Sequence, residues 1–441
     1  MREELPAAAP PRSIFRTALL LLPLQALFRG GEAVLPLLLA AWFGRTADTD
    51  LYYLLAAYFV FAGALLTGAF QDSGVVPVLI EVEKKEPARF PEVAGSLFGH
   101  TLAIGAAVGL VMGTLAAAVA LFASPSPALL HLALGLVSLM AVGLLCTSVR
   151  AFYVGLLNAR GLFHAHPVAS GLGMGLTLLL TYLGKEALGV RVIPLAMLSG
   201  ELVAISILSA LARRALALRL RPTLARPEPV RRIFALVRLE VTGSLITRIN
   251  PVIDQLMSGM AGVVGGGTLL RYATDVASLP TSILQATLLP VLLTRLAQQA
   301  SRPSLLRATT RRTLFTVALL LLAASALLIV LRMPLCRLLF LHGAMDLAGV
   351  ARIASVLPWA LAGVAPFGAL LVLARAHVAQ QNSRIMPSMG ILNSVCNLVL
   401  NVALVGPMGL AGIALSTSLT YVVVAVVFWV RLPSRSSHGQ A

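Results

Sequence analysis

The chain has 441 residues, 58% of them hydrophobic and 12% charged, with a mean hydropathy of +0.91. Soluble domains carry charge on about a quarter of their residues, so this composition excludes one and reads as a polytopic membrane protein. The formal net charge of +17 comes mostly from arginines parked between apolar runs, which marks membrane topology rather than a nucleic-acid footprint.

Arg12 and Arg16 precede a first apolar run, Thr17 to Phe28, in the manner of a secretory signal. No small-residue cleavage site follows, and the sequence continues through Arg29-Gly30-Gly31-Glu32 to Phe43, so one retained, interrupted span is expected. At about 20 apolar residues per crossing, further spans fall near Leu51 to Phe70, Val93 to Phe122, Leu129 to Leu156, Pro167 to Leu183 and Val192 to Leu211. A basic, proline-containing connection then carries Arg213, Arg214, Arg219, Arg221, Arg226, Arg231 and Arg232. Six more spans follow, near Val237 to Met260, Thr268 to Leu293, Leu314 to Leu331, Ala351 to Leu373, Met386 to Val405 and Leu410 to Val430. The expected fold is all-α, with about twelve transmembrane helices in two six-helix lobes. Its parts are an N-terminal lobe over 1–212, the basic linker over 213–232, a C-terminal lobe over 233–431 and a polar tail over 432–441.

Lys and Arg set the cytoplasmic side. They cluster at Lys84, Lys85, Arg89, Arg160, the linker, Arg302 to Arg312 and Arg384, while alternate connections are nearly bare, which places both termini in the cytoplasm. An even number of spans per half implies parallel repeats. Val76-Pro77-Val78-Leu79 after the second span and Leu289-Pro290-Val291-Leu292 in the eighth support that relation.

Ionisable groups at bilayer depth cost roughly 2.5–3.5 kcal/mol each and normally face a polar interior. Arg248, Asp254, Arg271 and Asp275, on the seventh and eighth spans, therefore predict a polar central cavity in which Asp254 and the Arg271 and Asp275 pair lie at similar depth. Arg29 and Glu32 lie one turn apart in the first span, where Gly30-Gly31 permits close approach of a helix or ligand. Arg150 and Glu201 are further intramembrane charges, and Arg150 is near enough to the basic side to snorkel. Asn393, Asn397 and Asn401 form a stripe suited to interhelical hydrogen bonds. Trp42, Tyr52 and Tyr53 read as an interfacial aromatic belt. The three cysteines, Cys146, Cys336 and Cys396, have no metal-ligand spacing. No catalytic constellation and no phosphate-cradling glycine loop are present in the sequence, so neither an enzyme nor an ATP-driven pump is expected, and no cofactor is implied beyond an ion gradient or the membrane potential.

In order along the chain, Asp48-Thr49-Asp50-Leu51, Gly68-Ala69-Phe70 and Val76-Pro77-Val78-Leu79, Leu157 to Phe163, Tyr272-Ala273 to Leu279-Pro280, Leu338 to Ala344, and Asn393 to Gly412 with Val405-Gly406-Pro407-Met408-Gly409 together resemble the MviN/MurJ-type lipid II flippases of the MOP exporter superfamily. The resemblance implies two six-helix lobes in a V around a cavity that opens alternately to each side and carries a polyprenyl-pyrophosphate-linked saccharide outward. It places Arg29 at one of the family's cavity arginines and the uncharged or acidic Leu35, Gly63 and Asp275 at three others; Arg271 and Arg248 are expected as substitutes from their depth in the spans, not from a match to the family's motif. It also implies a bacterial cytoplasmic membrane, and as partners an undecaprenyl-pyrophosphate-linked glycan (lipid II or an O-antigen or exopolysaccharide unit), membrane lipids and glycan synthesis or polymerisation enzymes. Two alternatives stand beside this reading: a drug/cation antiporter of the same superfamily, and a non-transporting scaffold in envelope-glycan assembly.

Overall fold

A computed structural model describes residues 30–71, 75–123, 126–216, 220–235, 237, 249–299, 302–380 and 385–432. Arg29 and Arg248 lie outside the described residues, as does Arg384. No strand occurs among the described residues, as expected where lipid forces every backbone polar group to find its partner within its own segment.

The first lobe contains α1 (Gly30–Phe43), α2 (Ala47–Gln71), α3 (Val75–Lys85), α4 (Phe90–Ala123), α5 (Pro127–Ala159), α6 (Ala165–Leu188) and α7 (Val192–Leu216). After a short α8 (228–235) come α9 (Asn250–Ser258), α10 (Gly266–Gln298), α11 (Pro303–Val330), α12 (Arg332–Phe340), α13 (Leu347–Leu361), α14 (Val364–Ala379), α15 (Ile385–Met408) and α16 (Leu410–Val430). The long helices coincide with the expected spans. The apolar stretch from Ala165 to Arg214 runs for 50 residues, but Gly189, at φ +55, turns it back on itself and makes α6 and α7 two crossings. The tenth crossing is split: α13 and α14 meet at 41°, where Pro358 removes a donor and Gly363 lies against Ser418 of α16. Three short helices, α3, α8 and α12, have no counterpart among the expected spans. Val76-Pro77 starts α3, where a proline in the first turn forfeits nothing, while Leu289-Pro290 lies inside α10, so the two copies of this motif sit in different helical settings.

The connection rich in arginine is docked rather than loose. Thr223 N–H donates to the Gly95 carbonyl at 3.3 Å, and Gly95 and Gly99 admit the passing chain because a Cβ on either would meet a carbonyl oxygen of Arg221 or Thr223. Val230 and Ile233 are fully buried in a cluster with Val78, Phe152 and Leu208 of the first lobe. Glu81, bonded to both Lys85 and Arg232, and Glu83, paired with Arg160, tie α3 to the same basic end.

Within the first lobe α6 and α7 touch backbone to backbone: a Cβ on Gly173 would lie 2.4 Å from the Gly200 carbonyl oxygen and the converse holds at the same distance. Thr177 Oγ donates to the Gly173 carbonyl at 3.0 Å and to that of Ala196 at 3.2 Å. Small residues of this kind replace the hydrophobic drive that lipid cannot supply. Gly200→Val should therefore force the helices apart and destabilise the protein by about 1–3 kcal/mol, whereas Gly171→Val, with open space around it, should be tolerated. Thermal unfolding in detergent distinguishes them, and equal melting of the two variants would remove this contact from the account.

Candidate functional site

Three polar arrangements interrupt the apolar interior. The first is an open cavity of about 640 Å³ bordered by α1, α2, α5, α6 and α7, with Glu32, Tyr52, Gly63, Thr67, Thr147 and Ser170 in its wall beside Arg150 and Glu201. Gly31 brings α1 up to it, since a Cβ there would meet Met174 Cγ at 2.7 Å. Arg150, on α5, donates from Nε to Glu201 Oε2 on α7 at 2.7 Å. Their side chains are 16% and 24% accessible. Arg150 thus points into the cavity and pairs across it instead of snorkelling to the surface.

The second arrangement lies inside the other lobe. Asp254, on α9, accepts from Asn401 Nδ2 at 2.8 Å, Asn397 Nδ2 at 3.2 Å and Thr417 Oγ at 2.9 Å. Asn401 also donates to Asn397 Oδ1 and accepts from Ser416. Asn397 and Asn401 are fully buried. Two members of the asparagine stripe therefore do more than join helices: four residues apart, they aim both amides at one carboxylate. A carboxylate, a hydroxyl and two amides able to turn over and present oxygen can hold a proton or a hard monovalent cation.

The third arrangement is the seam between the lobes, at the less basic end. Arg45, in the α1–α2 connection, meets Asp346 in two parallel bonds of 2.9 Å, Nε to Oδ1 and Nη2 to Oδ2. Asp346 also accepts from Gly349 N–H at the start of α13. Asp50, in the first turn of α2, accepts from the N–H groups of Gly265 (2.6 Å) and Thr268 (2.9 Å) and from the Thr268 hydroxyl (2.9 Å), and so caps α10 from the opposite lobe. Ala344 N–H donates to the Ala41 carbonyl at 2.7 Å. Gly343 (φ +58) and Gly44 (φ +63) permit that approach, because a Cβ on either would fall within 2.6 Å of a carbonyl oxygen across the seam. Tyr53 Oη donates to Tyr272 Oη at 3.2 Å. Tyr52 and Tyr53 are buried, which corrects the aromatic-belt expectation: Tyr53 packs in the interlobe seam, and Tyr52 lies in the wall of the first-lobe cavity. Trp42 instead contacts Tyr182 and Lys185.

Of the six sequence-selected residues, the four described ones do not converge on one site. Glu32 lines the first-lobe cavity, and Asp254 is enclosed by α15 and α16. Arg271 and Asp275 pair along α10 at 3.0 Å, with side chains 40% and 33% accessible. The expected common group of Asp254, Arg271 and Asp275 is thus two groups, because Asp254 takes its donors from asparagines and a threonine. Arg29 and Arg248 lie outside the described residues. Sequence reasoning passed over Asp50, Thr268 and Thr417; Asp50 carries a signal, an acidic residue opposite a Gly-rich helix start, but only the fold brings the two together.

A family model described as "Lipid II flippase MurJ" matches residues 39–440. Among solved structures, a lipid II flippase MurJ in an inward closed conformation superposes with a TM-score of 0.76 at 17% identity, covering 94% of this chain and 87% of that one. An inward-facing multidrug resistance MATE transporter of the MOP superfamily gives 0.74 at 14% identity, covering 92% and 93%. A MOP superfamily transporter from Pyrococcus furiosus gives 0.62 at 14%, covering 93% and 91%. These likenesses show the fold. No curated protein sequence matches the chain.

The seam yields a direct expectation. The Arg45 guanidinium, by its hydrogen bonds above all, holds the Asp346 carboxyl down at about 2. A depressed carboxylate contributes above its free value of about 3.9 and loses that contribution as pH falls through the folded value. Closure should accordingly be unchanged between pH 5 and 8. In a background without native cysteines, Arg45→Asp or Asp346→Arg alone should increase several-fold the labelling of an Ala56→Cys cavity residue from the less basic side. The combined exchange should reverse the increase. Identical labelling in all four proteins would show that the ion pair does not hold the seam.

Proposed function

The chain belongs to the lipid II flippase MurJ family and is a flippase for a lipid-linked saccharide; we propose that it moves a polyprenyl-diphosphate-linked glycan from the cytoplasmic to the outer leaflet of a bacterial inner membrane. The observation that carries the reading is the family match over 39–440. The family consists of transporters rather than enzymes. The drug/cation antiporter and scaffold alternatives are not favoured.

The bonds described between α1–α2 and the second lobe all lie at the less basic end, a geometry in which the lobes separate toward the basic end. Lys and Arg mark the cytoplasmic side, so the cavity of this conformation faces the cytoplasm, where a lipid-linked glycan is loaded. The saccharide and diphosphate occupy the polar interior while the prenyl chain stays in lipid between the lobes. Opening the seam while closing the basic end then releases the head group outward. Both termini lie in the cytoplasm on this reading. Cysteine labelling in intact cells should find the Gly262–Gly267 turn accessible from outside and the 220–227 connection only after permeabilisation; the reverse pattern would invert the direction of transport.

The transport reading is tested with purified protein in vesicles containing a fluorescent polyprenyl-diphosphate disaccharide, whose outward movement is followed by quenching. Movement no faster than in protein-free vesicles would reject it. Asp254 is proposed as the group through which an ion gradient resets the cycle, since it is a carboxylate enclosed with hydroxyl and amide groups inside a moving lobe. One charge crossing the field is worth about 2.3 kcal/mol per 100 mV, enough to bias two conformations strongly. Asp254→Asn should leave the fold intact, because an amide replaces the carboxylate among the same partners, yet should make transport insensitive to an imposed gradient. A gradient response equal to that of the wild type would remove Asp254 from this role.

A further inference from the structure

The Arg150–Glu201 pair is built in a way that a purely structural ion pair does not require. A guanidinium has five N–H donors in a fixed plane. Glu201 takes the one on Nε, and the two terminal nitrogens, Nη1 and Nη2, make no hydrogen bond with any described residue. Both side chains border the cavity, and the Thr147 and Ser170 side chains lie in the same wall. The Ser170 hydroxyl is already engaged with His166 Nδ1 at 3.0 Å, and Thr177 with two carbonyls. Among the described residues of that wall, the open donors of fork geometry belong to Arg150.

A buried charge without a partner is costly, and a partner that consumed the whole fork would leave nothing for a ligand. Glu201 meets the first requirement by neutralising Arg150 from its Nε edge, and it spares the Nη edge. That edge matches two oxygens of a phosphate, which a planar guanidinium binds bidentately. We propose that Arg150 is a substrate-binding residue that takes the phosphate oxygens of the lipid-linked head group on its Nη edge, and that Glu201 is the positioning residue that orients it. The assignment rests on the flippase reading above, and names the part of the cavity that recognises the anionic portion of the substrate. Phe59, Met140 and Met174, in the same wall, give the cavity apolar surface beside that anion site.

The test uses the full chain in detergent, with a short-chain prenyl diphosphate, the matching uncharged prenyl alcohol and inorganic pyrophosphate as probes. The quantity read is the ratio of prenyl diphosphate to prenyl alcohol affinity, which a merely structural defect would not change selectively. Wild type should prefer the diphosphate at least tenfold. Arg150→Gln leaves Glu201 without its partner and can fail to fold, so the decisive variant is Arg150→Gln with Glu201→Gln, which keeps a neutral hydrogen-bonding pair. It should melt close to the wild type and lose the preference about tenfold, the scale of a charge-assisted hydrogen bond. Arg150→Lys should recover part of it, and Glu201→Gln alone should weaken diphosphate binding less than the double change does. A folded double variant with the wild-type ratio would overturn the assignment while leaving the flippase reading standing. Absence of any diphosphate preference in the wild type would overturn both. Pyrophosphate binding as tightly as the prenyl diphosphate would replace a lipid-linked ligand with a free anion and overturn the assignment as stated.

Discussion

The carboxylate of Asp50 does for α10 what α10 cannot do for itself. A helix start leaves its first N–H groups without internal partners and gathers partial positive charge there. The residues before Thr268 are glycines, which offer no side chain to cap them. Asp50 supplies the cap from the other lobe, with three bonds between 2.6 and 2.9 Å. The orientation of the two lobes at this end is therefore fixed by a helix terminus and one carboxylate, with the Arg45–Asp346 fork beside them. Water satisfies these same groups once they part, so the seam has low intrinsic cost on both sides of a transition. A seam of interlocked leucines would not share that property.

The lobes handle buried charge by different means. In the first, opposite charges on α5 and α7 neutralise one another beside a cavity. In the second, Asp254 has no cation within its hydrogen-bond set and relies on amides and a hydroxyl. A carboxylate solvated by neutral donors keeps its charge only through those donors, and it is correspondingly responsive to a proton or a cation. The cavity pair is already neutral and responds to geometry, since an incoming anion needs an open fork more than a net field. On the roles proposed above, substrate recognition and energetic coupling fall on separate lobes, connected through the seam that holds both.

How far the sequence discloses this depends on whether a signal is local. Span positions follow from apolar length alone, and among the described residues the long helices fall on them, because lipid offers no alternative to satisfying the backbone within the segment. Asn397 and Asn401 are visible as a stripe from their spacing; that the stripe faces Asp254 is not, since the partner is 143 residues away in the chain. Tyr52 and Tyr53 mislead for the same reason. Aromatics near a span's end commonly sit at the membrane interface, and only the fold turns these two inward, Tyr53 onto Tyr272 of the second lobe and Tyr52 onto the first-lobe cavity. Arg150 near a basic end suggests snorkelling until α7 brings Glu201 within 2.7 Å. In each case composition identified the residue, and a contact between distant segments set its role.

The glycines complete the argument, because they show which close contacts the fold was shaped to allow. Gly343 and Gly44 stand at positive φ with a carbonyl from the opposite side of the seam where a side chain would be. A Cβ at either position would clash with that carbonyl and push the two connections apart, at the expense of the Ala344 bond to Ala41. Gly173 and Gly200 play a different part: they bring α6 against α7 inside one lobe, at a contact with no reason to open. The first pair joins bodies through single backbone bonds and the second fuses helices along a shared surface. That contrast separates the interface able to move in the transport cycle from the packing that keeps each lobe rigid while it does.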